Sequence, residues 1–392
     1  MKEPAATHMR ALPPYLFSNL NRRKKELLDR GVDIIDLGIG DPDLPTPDFI
    51  KEQLVSELED QQNMRYSPFN GCLAFREAVA SFYKRVYDVD LDPETEVLAL
   101  IGSKEGIAHL VQAMADPEDL ILIPDPSYPV YSMATYIAGC GLYRMPMPEN
   151  HGFRPIFDAI PKEVLRKTKL AILNYPGNPT GAVADLDFFE AAVSFFKTHG
   201  IWLAHDAAYQ LVTFGGYRAP SILQVKGAKE SVVEFGSLSK GFNMTGWRIG
   251  YLVGNAKIIR LLSTLKSNLD TSQFLPIQKA AARALNSDLS FLDERNAIYE
   301  KRADVLVEAL RSVGIHAKKP KGSIFLWARV PDGETSAAFC EKVMAQTGVI
   351  MTPGNAFGPG GEGYFRISLS VPDSRLIEAA NRIRTLMPGK TE

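Results

Sequence analysis

From about residue 46 to residue 290 the chain alternates short apolar runs with longer amphipathic ones. The runs are Val97-Leu98-Ala99-Leu100-Ile101, Leu120-Ile121-Leu122-Ile123, Lys169-Leu170-Ala171-Ile172-Leu173, Ile201-Trp202-Leu203-Ala204, Val232-Val233-Glu234-Phe235 and Ile249-Gly250-Tyr251-Leu252-Val253. A strand that is apolar on both faces has to be covered on both faces, which is the requirement of a parallel sheet between helices. Amphipathic stretches such as Asp187 to His199 supply the crossover helices. The alternation therefore predicts an α/β layered domain over residues 46–289.

The texture changes near Ser290. Residues 291–313 carry apolar side chains at helical spacing (Ile298, Ala303, Leu306, Ala309, Leu310) and stop at Gly314. A strand Ile324-Phe325-Leu326-Trp327, a helix near 336–346, a strand Tyr364-Phe365-Arg366-Ile367 and a last helix near 374–386 follow. Residues 290–392 thus read as a smaller α+β domain. Residues 1–45, with a helix from about Leu16 to Arg30, read as an arm that packs with the small domain or with a partner subunit. A length of 392 residues suits about two domains.

Composition mainly excludes. The net charge is −2, from 44 basic and 46 acidic residues that are mixed along the chain, so no polybasic surface for nucleic acid or an anionic membrane is expected. No apolar run approaches the roughly 20 residues that cross a bilayer. Cys72, Cys140 and Cys340 are widely spaced and the six histidines show no ligand spacing, so neither a disulfide framework nor a metal site is expected. With no apolar leader over residues 1–14, the expected location is the cytoplasm.

In open α/β sheets ligands collect beyond the carboxyl ends of the strands, and the polar clusters of this chain fall there. Gly102-Ser103-Lys104-Glu105-Gly106 follows Ile101; it is either a plain helix cap or a cradle whose backbone N–H groups meet an anion. Asn174-Tyr175-Pro176-Gly177-Asn178-Pro179-Thr180-Gly181 follows Leu173, with prolines and glycines that can aim Asn178 rigidly. Asp206 and Tyr209 follow Ala204. A carboxylate at a buried strand end needs a cation, whether a structural salt bridge or a pyridinium nitrogen. Tyr128, in Pro126-Ser127-Tyr128-Pro129, can lie flat on an aromatic ring or simply pack. Arg366 in its apolar strand either points to water or grips a carboxylate bidentately.

Ser237-Leu238-Ser239-Lys240, with Arg248 eight residues on, completes the set. Two hydroxyls and a guanidinium can hold a phosphate while an amine waits beside it. A cofactor that joins a phosphate to an aldehyde needs that pairing, and pyridoxal phosphate, held through a lysine Schiff base, is the common one.

These segments resemble the class I/II aminotransferases of the aspartate-aminotransferase fold, pyridoxal-phosphate fold type I. The resemblance runs from Gly38-Ile39-Gly40-Asp41-Pro42 to Arg366 and keeps the family's motif order. It implies a large domain with a mostly parallel seven-stranded sheet sandwiched by helices, a smaller α+β domain, and a homodimer with shared active sites. It implies Lys240 as the Schiff-base lysine that shuttles the substrate's Cα proton, Asp206 on the pyridine nitrogen, and Asn178 and Tyr209 on the phenolic oxygen. Tyr128 would stack on the ring. Ser103, Lys104 (through its backbone), Ser237, Ser239 and Arg248 would hold the phosphate, joined by Tyr66 from the neighbouring subunit. Arg366 would bind the substrate's α-carboxylate, with Gly40 against it.

Within the family the chain is most similar to the LL-diaminopimelate aminotransferase group, on Asp36-Leu37-Gly38-Ile39-Gly40-Asp41-Pro42-Asp43, Ser239-Lys240-Gly241-Phe242-Asn243-Met244-Thr245-Gly246-Trp247-Arg248 and Lys266-Ser267-Asn268-Leu269-Asp270-Thr271. Tyr15 and Asn268 match substrate-contacting positions there. The expected reaction moves an amino group between an amino acid and a 2-oxo acid, with glutamate and 2-oxoglutarate as one pair and LL-diaminopimelate as the other substrate. One turn departs: where many members of the group carry a carboxylate, this chain has Phe69-Asn70-Gly71. The alternatives are an aminotransferase for alanine, aspartate or aromatic amino acids, and a lyase on the same fold.

Overall fold

The computed structural model describes residue 4, residues 7–10, residue 12 and residues 18–386. Its strands, in chain order, are β1 Ile35–Asp36, β2 Val97–Leu100, β3 Leu120–Asp125, β4 Gly141–Pro146, β5 Thr168–Asn174, β6 Trp202–Asp206, β7 Val232–Ser237, β8 Gly250–Gly254, β9 Phe325–Arg329, β10 Val349–Ile350, β11 Thr352–Pro353 and β12 Tyr364–Ser368.

Seven of them form one sheet in the order β2-β8-β7-β6-β5-β3-β4. Pairing is parallel from β7 through β4, while β8 runs antiparallel to both β2 and β7. Successive side chains leave a strand on opposite faces, and the core divides accordingly. Ala171 and Leu173 of β5 join Val97 and Ala99 of β2 in one apolar cluster, while Leu170 and Ile172 join Leu98 and Leu100 in another. Helices cover both faces, which is the α/β sandwich that the apolar runs predict.

Two features differ from the sequence reading. The apolar-run criterion misses β4, because Gly141-Leu142-Tyr143-Arg144-Met145-Pro146 lies at the sheet's edge, pairs only with β3 and is mostly half-buried. An edge strand has no need of two apolar faces. Strands β3, β5, β6 and β7 extend past their apolar runs, so that Asp125, Asn174, Asp206 and Ser237 are final strand residues rather than loop residues.

Beyond residue 290 a second core forms around the three-stranded sheet β11-β12-β9. The helix Phe291–Ser312 and the helices Ser336–Thr347 and Asp373–Arg384 cover it. The N-terminal segment joins this core: β1 pairs in parallel with β10, and Ile35 and Leu37 are buried among the same side chains. Arg302 fastens the arrangement, with its guanidinium 2.7 and 2.9 Å from Asp43 and 2.7 Å from Asp373. Among the described residues no helix is long and apolar enough to cross a membrane.

Candidate active site

Strand direction decides where the chemistry collects. β3, β5, β6 and β7 are parallel, so their polar ends emerge along one edge of the sheet. Because β8 runs the other way, its start lies at that same edge, with Gly250 opposite Ser237 and Leu100. Arg248 and the start of the helix Ser103–Met114 are thereby brought beside Lys240. A cavity of about 400 Å³ sits there, large enough for a small-molecule ligand. It is lined by Gly40, Ser103, Lys104, Tyr128, Asn178, Asp206, Tyr209, Ser237, Ser239, Lys240, Arg248 and Arg366.

Three sequence candidates stand apart. Tyr66 is 89% exposed and does not line this cavity. Asn268 is exposed as well, and its amide donates to the Thr264 carbonyl in the helix that precedes it at 2.9 Å. Tyr15 lies outside the described residues.

Lys240 Nζ donates to the Gly40 carbonyl at 2.7 Å, a neutral partner rather than a carboxylate. Burial lowers its pKa to about 8; Asp41 opposes the shift, while the charges of Arg366 and Arg248 add to it. An amine in that range is available as a nucleophile near neutral pH. Asp206 is 3% exposed and accepts hydrogen bonds from the Tyr131 hydroxyl at 2.7 Å and the Ala208 N–H at 3.2 Å. Burial raises its pKa, against the pull of those donors and of His205. A carboxylate held so far from water, without a cation bonded to it, is poised to receive one.

One wall is built for an anion. Ser103 opens a 12-residue helix, and Ser103 and Lys104 of its first turn, where backbone N–H groups have no intrahelical acceptor, line the cavity. A Cβ at residue 102 would lie 2.3 Å from Arg248 Nη2, and Gly102 has φ +77°, so only glycine lets the helix start and the guanidinium approach this closely. Ser237 caps the short helix Leu238–Gly241 by accepting the Ser239 N–H, which fixes the Ser237 hydroxyl near Lys240.

The opposite wall carries Arg366, 4% exposed, with its guanidinium carbon 4.0 Å from the centre of the Phe325 ring and 4.6 Å from that of Phe357. Nη1 donates to Asn178 Oδ1 at 2.8 Å and Nη2 to the Gly38 carbonyl at 2.6 Å, while Nε has no partner among the described residues. Burial lowers its pKa to about 10. A hydrogen-bond relay joins the two walls. Asn178 N–H donates to Asn174 Oδ1 at 2.8 Å, and Asn174 Nδ2 donates to the Asp206 carbonyl at 2.8 Å.

The sequence matches a model of the family "Aminotransferase class I and II" over residues 32–383. The chain belongs to that family. The aminotransferase is 50% identical to the LL-diaminopimelate aminotransferase of Moorella thermoacetica, over 99% of each chain. It is 47% identical to that of Aquifex aeolicus, covering 96% of this chain and 98% of the other. Its fold superposes on substrate-bound BacF from Bacillus subtilis with a TM-score of 0.94, at 38% identity and 98% coverage of both chains. It is an enzyme that moves an amino group between an amino acid and a 2-oxo acid.

Enzymes of this family and fold depend on pyridoxal phosphate, and the residues present fit that group. The helix start with Arg248 suits its phosphate, buried Asp206 suits a protonated ring nitrogen, and the Lys240 amine suits its aldehyde. Two contributors of the aminotransferase escape the motif reading. Tyr131 holds the Asp206 carboxylate, and Asn174 links Asp206 to Asn178. Asn174 stood in the quoted loop motif as a strand-end amide. Tyr131 gives only a weak signal, one helical turn beyond Tyr128.

Proposed function

We propose that the chain is a pyridoxal-phosphate-dependent aminotransferase acting on LL-diaminopimelate in the cytoplasm, with glutamate and 2-oxoglutarate as the other pair. The observation that carries the reading is the meeting of an amine without a carboxylate partner, a buried carboxylate and a buried guanidinium around one cavity. When bound, the cofactor supplies an aldehyde carbon for the amino group and an electron-poor ring that stabilises negative charge at Cα.

The chain's own residues do the rest. Ser103, the Lys104 backbone, Ser237, Ser239 and Arg248 would hold the phosphate. Tyr128 would pack on the ring, and Asn178 and Tyr209 would donate to its phenolic oxygen. Asp206 would keep the ring nitrogen protonated, which would stabilise negative charge at Cα. Lys240 Nζ would take the proton from the substrate's Cα and deliver it to the cofactor's aldehyde carbon rather than back to Cα. Arg366 orients the α-carboxylate beside Gly40, which sets the Cα–H bond toward Lys240. Burial of Arg366 between two aromatic rings removes competing water and strengthens this grip.

We propose the division into an arm at 1–45, a large domain at 46–289 and a small domain at 290–392, supported by the separate cores. We also propose a homodimer in which Tyr66 reaches the partner's phosphate site. Tyr66, Phe69, Leu269 and Phe274 leave large apolar surface exposed, and the Ser67 hydroxyl bonds to the Gln273 carbonyl, which joins the two segments. Mixing inactive Tyr66→Ala and Lys240→Ala chains should restore activity in mixed dimers; a fully active monomer overturns the proposal.

The substrate rests on the names of the relatives, and a comparison of kcat/KM for LL-diaminopimelate, alanine, aspartate and phenylalanine tests it. LL-diaminopimelate should lead. Asn70 favours the second reading, a general amino-acid aminotransferase, because a neutral amide attracts a distal ammonium less than a carboxylate does. A tenfold advantage for any of the other three amino acids establishes that second reading.

A further inference from the structure

The glycine-rich turn Gly358-Pro359-Gly360-Gly361 lines no part of the active-site cavity, yet it is pressed against the large domain. Asp125, the last residue of β3, is 8% exposed and accepts the Gly360 N–H on both carboxylate oxygens, at 3.1 Å each. Two residues on, the Ser127 N–H donates to the Phe357 carbonyl at 2.8 Å. A Cβ at residue 358 would lie 2.3 Å from Asp125 Oδ1, and one at 360 would lie 2.9 Å from the Asp125 carbonyl oxygen. The contact therefore has no room for a side chain at either position. Burial raises the pKa of Asp125, while the Gly360 N–H and Arg144 pull it down. A buried carboxylate whose hydrogen bonds reach across to another domain is costly to keep without a purpose.

The contact passes onward to Arg366. Gly354 and Gly361 touch so closely that a Cβ on either would lie 2.0 Å from the other's carbonyl oxygen. Gly354 follows β11, in which Thr352 pairs with Arg366 itself. Phe357, held by Ser127, is one of the two rings against the Arg366 guanidinium. Tyr128 stands next to Ser127 and lines the cavity. A single large-domain turn, residues 125–128, thus carries the ring-packing tyrosine and also grips the small-domain segment that backs Arg366.

We propose that Asp125 is a positioning residue: by locking residues 354–361 onto the 125–128 turn, it sets the place of Arg366 relative to the Lys240 side of the cavity. The lock serves amino donor and oxo-acid acceptor alike, since both present a carboxylate to the same guanidinium. It rests on the reading of Arg366 as the carboxylate grip.

The test uses cofactor-loaded enzyme with Asp125→Ala and the near-isosteric Asp125→Asn, which turns one acceptor into a donor facing the Gly360 N–H. Because Arg366 holds the carboxylate in the ground state as well as in the transition state, a shifted guanidinium loses uniform binding, and Asp125→Ala should raise KM for both substrates roughly tenfold, with a smaller rise for Asp125→Asn. Cofactor affinity and kcat should stay within about threefold of the parent. Hydrogen exchange in a peptide covering 354–363 should quicken in both variants. Unchanged KM in both overturns the lock, and so does a loss confined to kcat or to cofactor binding. Should Asp125→Ala fail to fold, Asp125→Asn decides alone. Arg366→Ala is measured beside them. If it leaves KM unchanged, the reading of Arg366 fails and the lock with it; if it raises KM while both Asp125 variants do not, only the lock fails.

Discussion

Lys266 and Lys240 each carry an amine on a helix beside the seven-stranded sheet, and their surroundings differ. Lys266 is fully buried, with Nζ 2.7 Å from Glu105 and 2.8 Å from Asp270. Lys240 hydrogen-bonds a backbone carbonyl, lies over the Tyr209 ring and faces the opposed charges of Asp41 on one side and Arg366 and Arg248 on the other. Around Lys266, Glu105 sits below its usual pKa: burial raises it, but His109 and Lys266 outweigh burial. Glu105, His109 and Asp270 lie close enough together to resemble a metal-binding group, and the Lys266 amine is the cation between two of them. The network braces the anion wall. Glu105 accepts the Ile101 N–H, Asp270 accepts the Ser272 N–H, and the adjacent Gln273 donates to the Arg248 carbonyl.

A pair of carboxylates repeats the contrast. Glu234, fully buried, accepts from the Tyr83 and Ser221 hydroxyls, the Ile222 N–H and His205 Nδ1. Asp206, on the neighbouring strand, has two donors and a raised pKa. A buried charge whose partners saturate it is scaffold, and one left short of partners marks where a ligand completes the set.

The largest expected effect falls on the lysine without a carboxylate. Lys240→Ala should lose turnover by roughly 10⁴-fold or more while keeping its melting temperature, since no ion pair is broken. A variant with more than a trace of parent activity breaks the comparison at its functional end. Lys266→Met should do the reverse. Removing the cation leaves two carboxylates uncompensated, at a cost of about 3–5 kcal/mol in denaturant unfolding. Adding Glu105→Gln and Asp270→Asn to Lys266→Met should recover part of that loss. Full stability with abolished turnover in Lys266→Met would mean that the amine belongs to the chemistry after all.

The carboxylates sharpen the same point. Asp206→Ala should lower kcat by about 10²–10³, the scale of a lost preorganised electrostatic partner, with the fold intact. Glu234→Gln should lower the melting temperature and leave kcat near the parent value, because it disturbs hydrogen bonds behind the sheet. Steady-state kinetics and thermal unfolding of both variants check this, and a kcat loss in Glu234→Gln equal to that in Asp206→Ala would erase the distinction.

This contrast also explains what sequence could disclose. The apolar runs betray the buried sheet, and polar residues immediately after them betray the site, because a parallel sheet delivers its strand ends to one edge. Lys240 and Asp206 were legible as candidates for that reason, and Arg366 for another, as a guanidinium inside an apolar strand of the second sheet. The saturation of Lys266 and Glu234 was not, since their partners come from distant segments: Glu105 for Lys266, and Tyr83 and Ser221 for Glu234. β4 stayed hidden because an edge strand needs no apolar code, and Tyr131 because a tyrosine on an amphipathic helix carries no mark of the carboxylate it meets.

The smallest expected effect is a titration. With its pKa lowered to about 8, the Lys240 amine loses its proton two units earlier than an ordinary lysine near 10.4. In cofactor-free protein, capture of a small aldehyde at Lys240, trapped by reduction and read by peptide mass, should rise with pH and level off above about 8. Capture at exposed lysines should keep rising toward pH ~10. The sign of each neighbour follows from its charge. Asp41 favours the protonated amine, so Asp41→Asn should move the midpoint down. Arg366 disfavours it, so Arg366→Gln should move the midpoint up. A midpoint near 10 in the parent, insensitive to both substitutions, would make Lys240 an ordinary solvated amine and leave its difference from Lys266 without chemical consequence.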